Sequence, residues 1–212
     1  MIMLIGSQKG GCGKSTIAVN ICAYLVRQEK DIVLVDADRQ GTASNWASDR
    51  ANNSLPLPLV NCVQRYDNIR ETLLDLDKRY EYVIVDAAGR DSRELRTGMT
   101  AADLLVVPFR PSQPDLDTLP KLVDIATQAR DINENLQCKA VLTMAPTNPV
   151  ISEVTEGREY LASYPELMLL ETTIFDRKVY RDTMCDGFGV VEMGNQKAKD
   201  EIKNLVEELI CG

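Results

Sequence analysis

Residues 7–16 read Ser7-Gln8-Lys9-Gly10-Gly11-Cys12-Gly13-Lys14-Ser15-Thr16, directly after the short apolar run Ile2–Ile5. A strand that runs into a glycine-rich loop ending in Lys-Ser-Thr reads as a phosphate cradle. Glycines let backbone N–H groups turn inward around an anion, and the helix that follows presents its positive end. The common form of such a loop is G-x-x-x-x-G-K-[ST]. Counting back from Gly13 places Gln8 where the first glycine belongs, so the strict pattern fails. What matches is Lys9-Gly10-Gly11-x-Gly13-Lys14-Ser15, and the extra lysine at its front narrows the reading to one branch of nucleotide-driven switches.

Outward from the loop, apolar bursts of strand length recur at Ile2–Ile5, Ile32–Val35, Leu59–Val63, Tyr82–Val85, Leu104–Val107, Ala140–Thr143 and Leu169–Ile174. Segments of helical length lie between most of them: Ser15–Gln28, Asp67–Tyr80, Arg93–Ala102, Asp115–Ile132 and Ser152–Ser163. This alternation predicts an α/β fold, a doubly wound, mostly parallel sheet with helices on both faces, in a single domain over 1–212. Right-handed crossovers bring the carboxyl ends of parallel strands to one edge, where ligands bind. The loops after Ile5, Val35 and Val85 should therefore converge there.

Composition sets limits. The 212 residues suffice for one substantial core, and the net charge of −8 argues against a protein coated in basic surface. No run of about 18 apolar residues occurs, and the chain enters its first strand without room for a signal peptide. Six cysteines (Cys12, Cys22, Cys62, Cys138, Cys185, Cys211) show no C-x-x-C spacing, and histidine is absent. Ordinary Cys/His zinc sites are disfavoured and histidine acid–base catalysis is excluded. A cytoplasmic protein with reduced thiols is expected.

The converging loops carry a consistent chemistry. Lys14 is placed to reach β- and γ-phosphates, the Ser15 hydroxyl to ligate Mg²⁺, and Thr16 to contact an α-phosphate. Asp86 follows Tyr-Val-Ile-Val, an apolar strand plus acid of Walker B type, and should hold the metal. Asp36 and Asp38 alternate along an extended chain and so point the same way. One can address metal-bound water while the other orients an attacking water, although a hydroxyl-attacking kinase would want the same acid. Lys9 leaves a loop already wrapped around phosphate. Its ammonium is better placed to reach a phosphate held by a second subunit, which would make ATP the glue of a two-fold dimer.

Lys9-Gly10-Gly11-Cys12-Gly13-Lys14-Ser15-Thr16, then Val35-Asp36-Ala37-Asp38-Arg39-Gln40-Gly41, then Val85-Asp86, resembles the ParA/MinD family of deviant Walker ATPases. Pro111-Ser112-Gln113-Pro114-Asp115 and the stretch Thr173–Tyr180 are similar to its short, ParF-like plasmid partition group, as are Asp182–Gly187 and Val191-Glu192. The resemblance covers nearly the whole chain, with no helix-turn-helix domain before the loop. It implies Mg²⁺-dependent ATP hydrolysis, an ATP-bound homodimer that coats DNA without sequence preference, and a centromere-binding partner that stimulates turnover. It would make Lys9 the signature lysine, Lys14 the Walker A lysine, Ser15 the metal ligand and Asp38 the hydrolytic acid. Adenine contacts are implied around Met144–Asn148 and at Arg177. Arg39 replaces the usual proline, and Asp86 is followed by Ala87-Ala88-Gly89-Arg90 rather than Thr-Pro-Pro.

The terminal segment Gln196–Ile210 has an apolar stripe for the core. Lys197, Lys199 and Lys203 at its edge could meet phosphates of DNA, but four acids share the helix. Glu-Glu-Leu-Ile-Cys-Gly at the end is a poor membrane anchor, and the cysteines do not suit an iron–sulfur cluster. DNA partition is the leading expectation. A positioning ATPase for a protein cargo is the chief rival, followed by a dethiobiotin-synthetase-like ligase of the same fold.

Overall fold

The computed structural model describes residues 1–148 and 152–211. Its centre is β1 (Ile2–Ile5), a continuous apolar run with every residue buried. It is flanked by β4 (Tyr82–Ala87) and β5 (Leu104–Phe109), which are also buried throughout. Such unbroken apolar strands suit a parallel sheet covered on both faces. The sheet has seven strands in the order β3-β2-β4-β1-β5-β6-β7, and every neighbouring pair is parallel. The remaining strands are β2 (Ile32–Ala37), β3 (Asn61–Gln64), β6 (Gln137–Ala145) and β7 (Met168–Phe175). The chain leaves β1 for one flank of the sheet and later fills the other, so the loop after Ile5 stands at the switch point where such sheets bind ligands.

Alternating side chains of β1 divide the core. Met3 and Ile5 join the layer under α1 (Lys14–Arg27), α2 (Thr42–Ala51), α8 (Lys178–Asp186) and α9 (Gln196–Cys211). Ile2 and Leu4 join the layer under α3 (Arg70–Asp77), α4 (Arg93–Met99), α5 (Gln113–Leu116), α6 (Leu119–Arg130) and α7 (Glu153–Leu161). The doubly wound, parallel α/β architecture is as expected.

Several boundaries differ for physical reasons. β2 and β4 each run two residues further than their apolar bursts, because Asp36 and Asp86 are themselves paired in the sheet. β3 begins two residues late, after Pro58, and its residues are largely exposed. The long helix over Asp115–Ile132 is two, α5 and α6, the second opening with Pro120 in its first turn. Two helices, α2 and α8, have no counterpart among the expected elements.

The two edges of the sheet are finished differently. At β7, the Glu208 carboxylate on α9 accepts the N–H groups of Glu171 and Thr172 at 2.9 Å each, beside an irregularity in register. The buried Lys139 ammonium donates to the Glu208 carbonyl at 2.9 Å. At β3 no such cover exists among the described residues, and Leu59 and Val63 are exposed.

Candidate active site

Gly11 and Gly13 adopt left-handed backbone (φ 75° and 88°), a conformation glycine enters without steric cost. Gly13 is also the N-cap of α1, and no side chain caps that end. The free N–H groups of the first turn are therefore left to face an anion. Lys14 is 6% exposed, and its ammonium donates to the Lys9 carbonyl at 2.9 Å. The same carbonyl accepts the Ser7 hydroxyl at 2.9 Å. Lys9 itself is exposed and forms no ion pair among the described residues. Gln8 keeps its side-chain amide nitrogen buried without a partner among those residues.

Strand pairing brings the acids beside this loop. Asp36 stands opposite Asp86 in the β2–β4 register, and Ile5, the last residue before the loop, pairs with Asp86 from the other side. Both carboxylates are fully buried, but their surroundings differ. Asp36 accepts the N–H of Ser44 in the first turn of α2 at 2.7 Å and that of Asp38 at 3.1 Å. From β2 it thus satisfies a first-turn N–H of α2, whose own N-cap, Gly41, has no side chain to do so, a duty the sequence does not announce. Neither oxygen of Asp86 has a hydrogen-bond partner among the described residues. Burial pushes the Asp86 carboxyl up to about 7; Asp36 and Asp38 add to the rise, while Ser15 and Lys14 hold it back. Asp38 is half-buried and accepts the Gln40 N–H at 3.0 Å.

The mouth is a cleft of about 440 Å³ that brings Gly10, Gly11, Gly13, Lys14, Ser15, Thr16 and Asp38 together with Gly89 and Met144. Gly89 belongs there for want of space. A Cβ on it would stand 2.7 Å from the Lys9 carbonyl oxygen and 2.8 Å from Gly10 Cα. Beside the cleft, a tighter apolar cavity of about 80 Å³ also borders Gly13, Thr16 and Met144 and continues to Phe175, Arg177 and Tyr180. Arg177 lies on its rim, but its guanidinium is held by Glu201 at 2.7 Å, and Glu201 also accepts the Tyr180 hydroxyl at 2.9 Å. Arg39 leans over the Tyr66 ring at 4.8 Å. Gly89, Arg110 and Thr143 touch the loop although no motif marks them.

These residues fit a nucleoside triphosphate with a divalent cation. An orphaned, buried carboxylate lies beside a loop of left-handed glycines and an uncapped helix end. Among the described residues no cluster of three or more His, Cys, Asp or Glu side chains forms a cage for metal. A cation here would rely on phosphate oxygens, as Mg²⁺ commonly does. All six cysteines are free thiols, with Cys12 buried under the loop. Among the described residues no helix is long and apolar enough to cross a membrane.

The fold and the doubled-lysine loop define a P-loop ATPase of the ParA/MinD class. A family model described as ATPase MipZ matches residues 1–135, and the chain belongs to that family, the MipZ/ParA ATPases. It is 28% identical over 214 residues to maintenance of carboxysome distribution protein A of Halothiobacillus neapolitanus, covering 98% of this chain and 95% of that one. It is 27% identical over 184 residues to the chromosome-partitioning ATPase Soj of Thermus thermophilus, covering 73% of each. The ATP complex of a Cyanothece McdA variant superimposes with a TM-score of 0.77 over 99% of this chain and 96% of the other, at 16% identity, a likeness of fold.

Proposed function

We propose that this chain, working as one domain in the cytoplasm, is a positioning ATPase that distributes a protein cargo as an ATP-bound homodimer. The orphaned Asp86 carboxylate beside the Lys14 loop carries the ATPase half of this reading. The cargo half draws on two relatives that match almost end to end and are named as carboxysome distribution proteins. The sequence alone favours DNA partition with cargo positioning as rival; these relatives reverse that order.

Bound ATP and Mg²⁺ supply the transferable phosphoryl group and a charge that offsets its own. Lys14, now on the Lys9 carbonyl, would turn to the β- and γ-phosphates. Ser15 and Asp86 would hold the cation, with Asp36 fixing the neighbouring strand and helix. Thr16 binds the α-phosphate, and the cavity at Met144 and Arg177 takes the base. Asp38 orients the attacking water. Lys9 reaches the phosphates of the partner subunit and supplies charge across the interface.

Purified protein should hydrolyse ATP slowly, only with magnesium, and should dimerise with ATP in light scattering. Rapid turnover of a metabolite without ATP-dependent dimers would overturn the reading. DNA partition remains a second reading because Arg27, Lys199 and Lys203 line a depression of about 200 Å³ between α1 and α9, although Asp200 shares it and Lys203 lies 3.8 Å from the Glu207 carboxylate. In a dimer this patch doubles, and it would suit non-specific DNA, a nucleoid-associated coat and a centromere-binding partner. Salt-sensitive DNA retention that requires ATP would favour it.

A further inference from the structure

A peptide plane is trans and rigid, so a carbonyl held to one side sends the next residue's N–H to the other. No cis peptide occurs among the described residues. A loop that must aim its N–H groups at an anion therefore needs donors on its outer side to receive its carbonyls. In this loop the Gly13 carbonyl is taken by the Ile17 N–H of α1 at 2.8 Å, and the Lys9 carbonyl by Ser7 and Lys14. Of the three carbonyls between them, those of Gly11 and Cys12 are received by side chains from distant segments.

Arg110, exposed just beyond β5, donates from Nη2 to the Gly11 carbonyl at 2.5 Å. Its Nε lies 3.1 Å from the Met144 sulfur, between cleft and cavity. Thr143, buried on β6, places its hydroxyl 2.7 Å from the Cys12 carbonyl and 3.1 Å from the Phe109 carbonyl; the one proton serves the nearer. The Pro111–Asp115 turn holds the base of Arg110. Ser112 N–H donates to the Arg110 carbonyl at 2.7 Å, and the Ser112 hydroxyl to the buried Asp115 carboxylate at 3.0 Å. The Pro-Ser-x-Pro-Asp motif thus has a mechanical use that its sequence does not disclose.

We propose that Arg110 and Thr143 are positioning residues of the phosphate cradle, holding the Gly11 and Cys12 carbonyls outward so that the Cys12 and Gly13 N–H groups face the nucleotide. Arg110 works from the outer, solvent side and Thr143 from beneath, so the cradle is clamped between two layers. The inference rests on the nucleotide-binding reading and adds to it two residues that need not touch the nucleotide.

The test is titration of the full chain with fluorescent ADP, alongside thermal melts and ATPase kinetics. Arg110→Ala and Thr143→Val should each weaken ADP binding about tenfold, the scale of one charge-assisted or enclosed hydrogen bond. Arg110→Lys and Thr143→Ser, which keep a donor, should recover most of it. In kinetics KM should rise by more than kcat falls, and Arg110→Ala should leave the melting temperature within a degree or two. A lowered melting temperature with unaltered ADP affinity would overturn the proposal. So would wild-type affinity in both variants while Lys14→Ala loses binding, a result that leaves the nucleotide reading intact. Wild-type protein that binds no ADP would overturn both.

Discussion

Arg50 on α2 and Glu192, 142 residues further on, form a two-pronged ion pair (2.7 and 2.9 Å) with side chains 0% and 3% exposed. The same guanidinium donates to the Gly187 carbonyl at 2.8 Å and the Pro58 carbonyl at 2.7 Å, and lies 5.3 Å from the Trp46 ring. One buried cation thereby joins α2, the approach to β3, the end of α8 and the turn before α9. Glu192→Ala would leave it enclosed and unpaired, which should cost about 3–5 kcal/mol in urea unfolding. The double change Arg50→Met with Glu192→Leu should recover much of that loss. An unfolding midpoint untouched by Glu192→Ala would refute the assignment.

Asp38 is the half-buried acid at the cleft, whereas Asp36 is committed to the first turn of α2. Asp38→Ala should therefore lower ATP turnover on the order of 10²–10⁴-fold while nucleotide binding survives. The ATP-bound dimer should then persist in light scattering. A variant that is monomeric with ATP, or that turns over normally, would remove Asp38 from the hydrolytic role.

Lys9 reaches solvent without an ion pair among the described residues, whereas Lys14 is buried with its ammonium on the Lys9 carbonyl. Lys9→Ala should keep ADP affinity within about threefold, as expected of an exposed charge of small local worth. It should abolish ATP-dependent dimerisation. Dimers of wild-type stability would defeat the cross-subunit role.

Gly89 has no room for a methyl group against the Lys9 carbonyl and Gly10 Cα. Gly89→Ala must push the 88–90 segment off the loop, at an overpacking cost of about 1–3 kcal/mol. Nucleotide affinity should drop at least as far as in Arg110→Ala, readable in the same fluorescence titration. Unchanged binding would mean that the segment gives way freely.

Much of this was legible in the chain because the informative signals are local. The glycine–lysine loop and the apolar runs of β1, β4 and β5 are contiguous, and burial on both faces leaves them no competing pattern. α2 is not legible in that way. Its buried face is Ala43, Trp46, Ala47 and an arginine, and the arginine's partner stands far along the chain. Strands outrun their apolar bursts where an acid continues the sheet, as at Asp36 and Asp86. The duty of Asp36 at α2, the tie between Arg177 and Glu201, and the hold of Arg110 and Thr143 on the loop all depend on contacts between distant segments. Spacing along the chain carries no trace of them.

The unequal finish of the two sheet margins has a practical consequence. Where Glu208 occupies the backbone donors of β7, an incoming strand finds nothing to zip onto; along β3 the donors and acceptors stand open beside Leu59 and Val63. If concentrated or heated samples clump, the clumping will start from that one side, and a lysine at position 63 is the economical remedy.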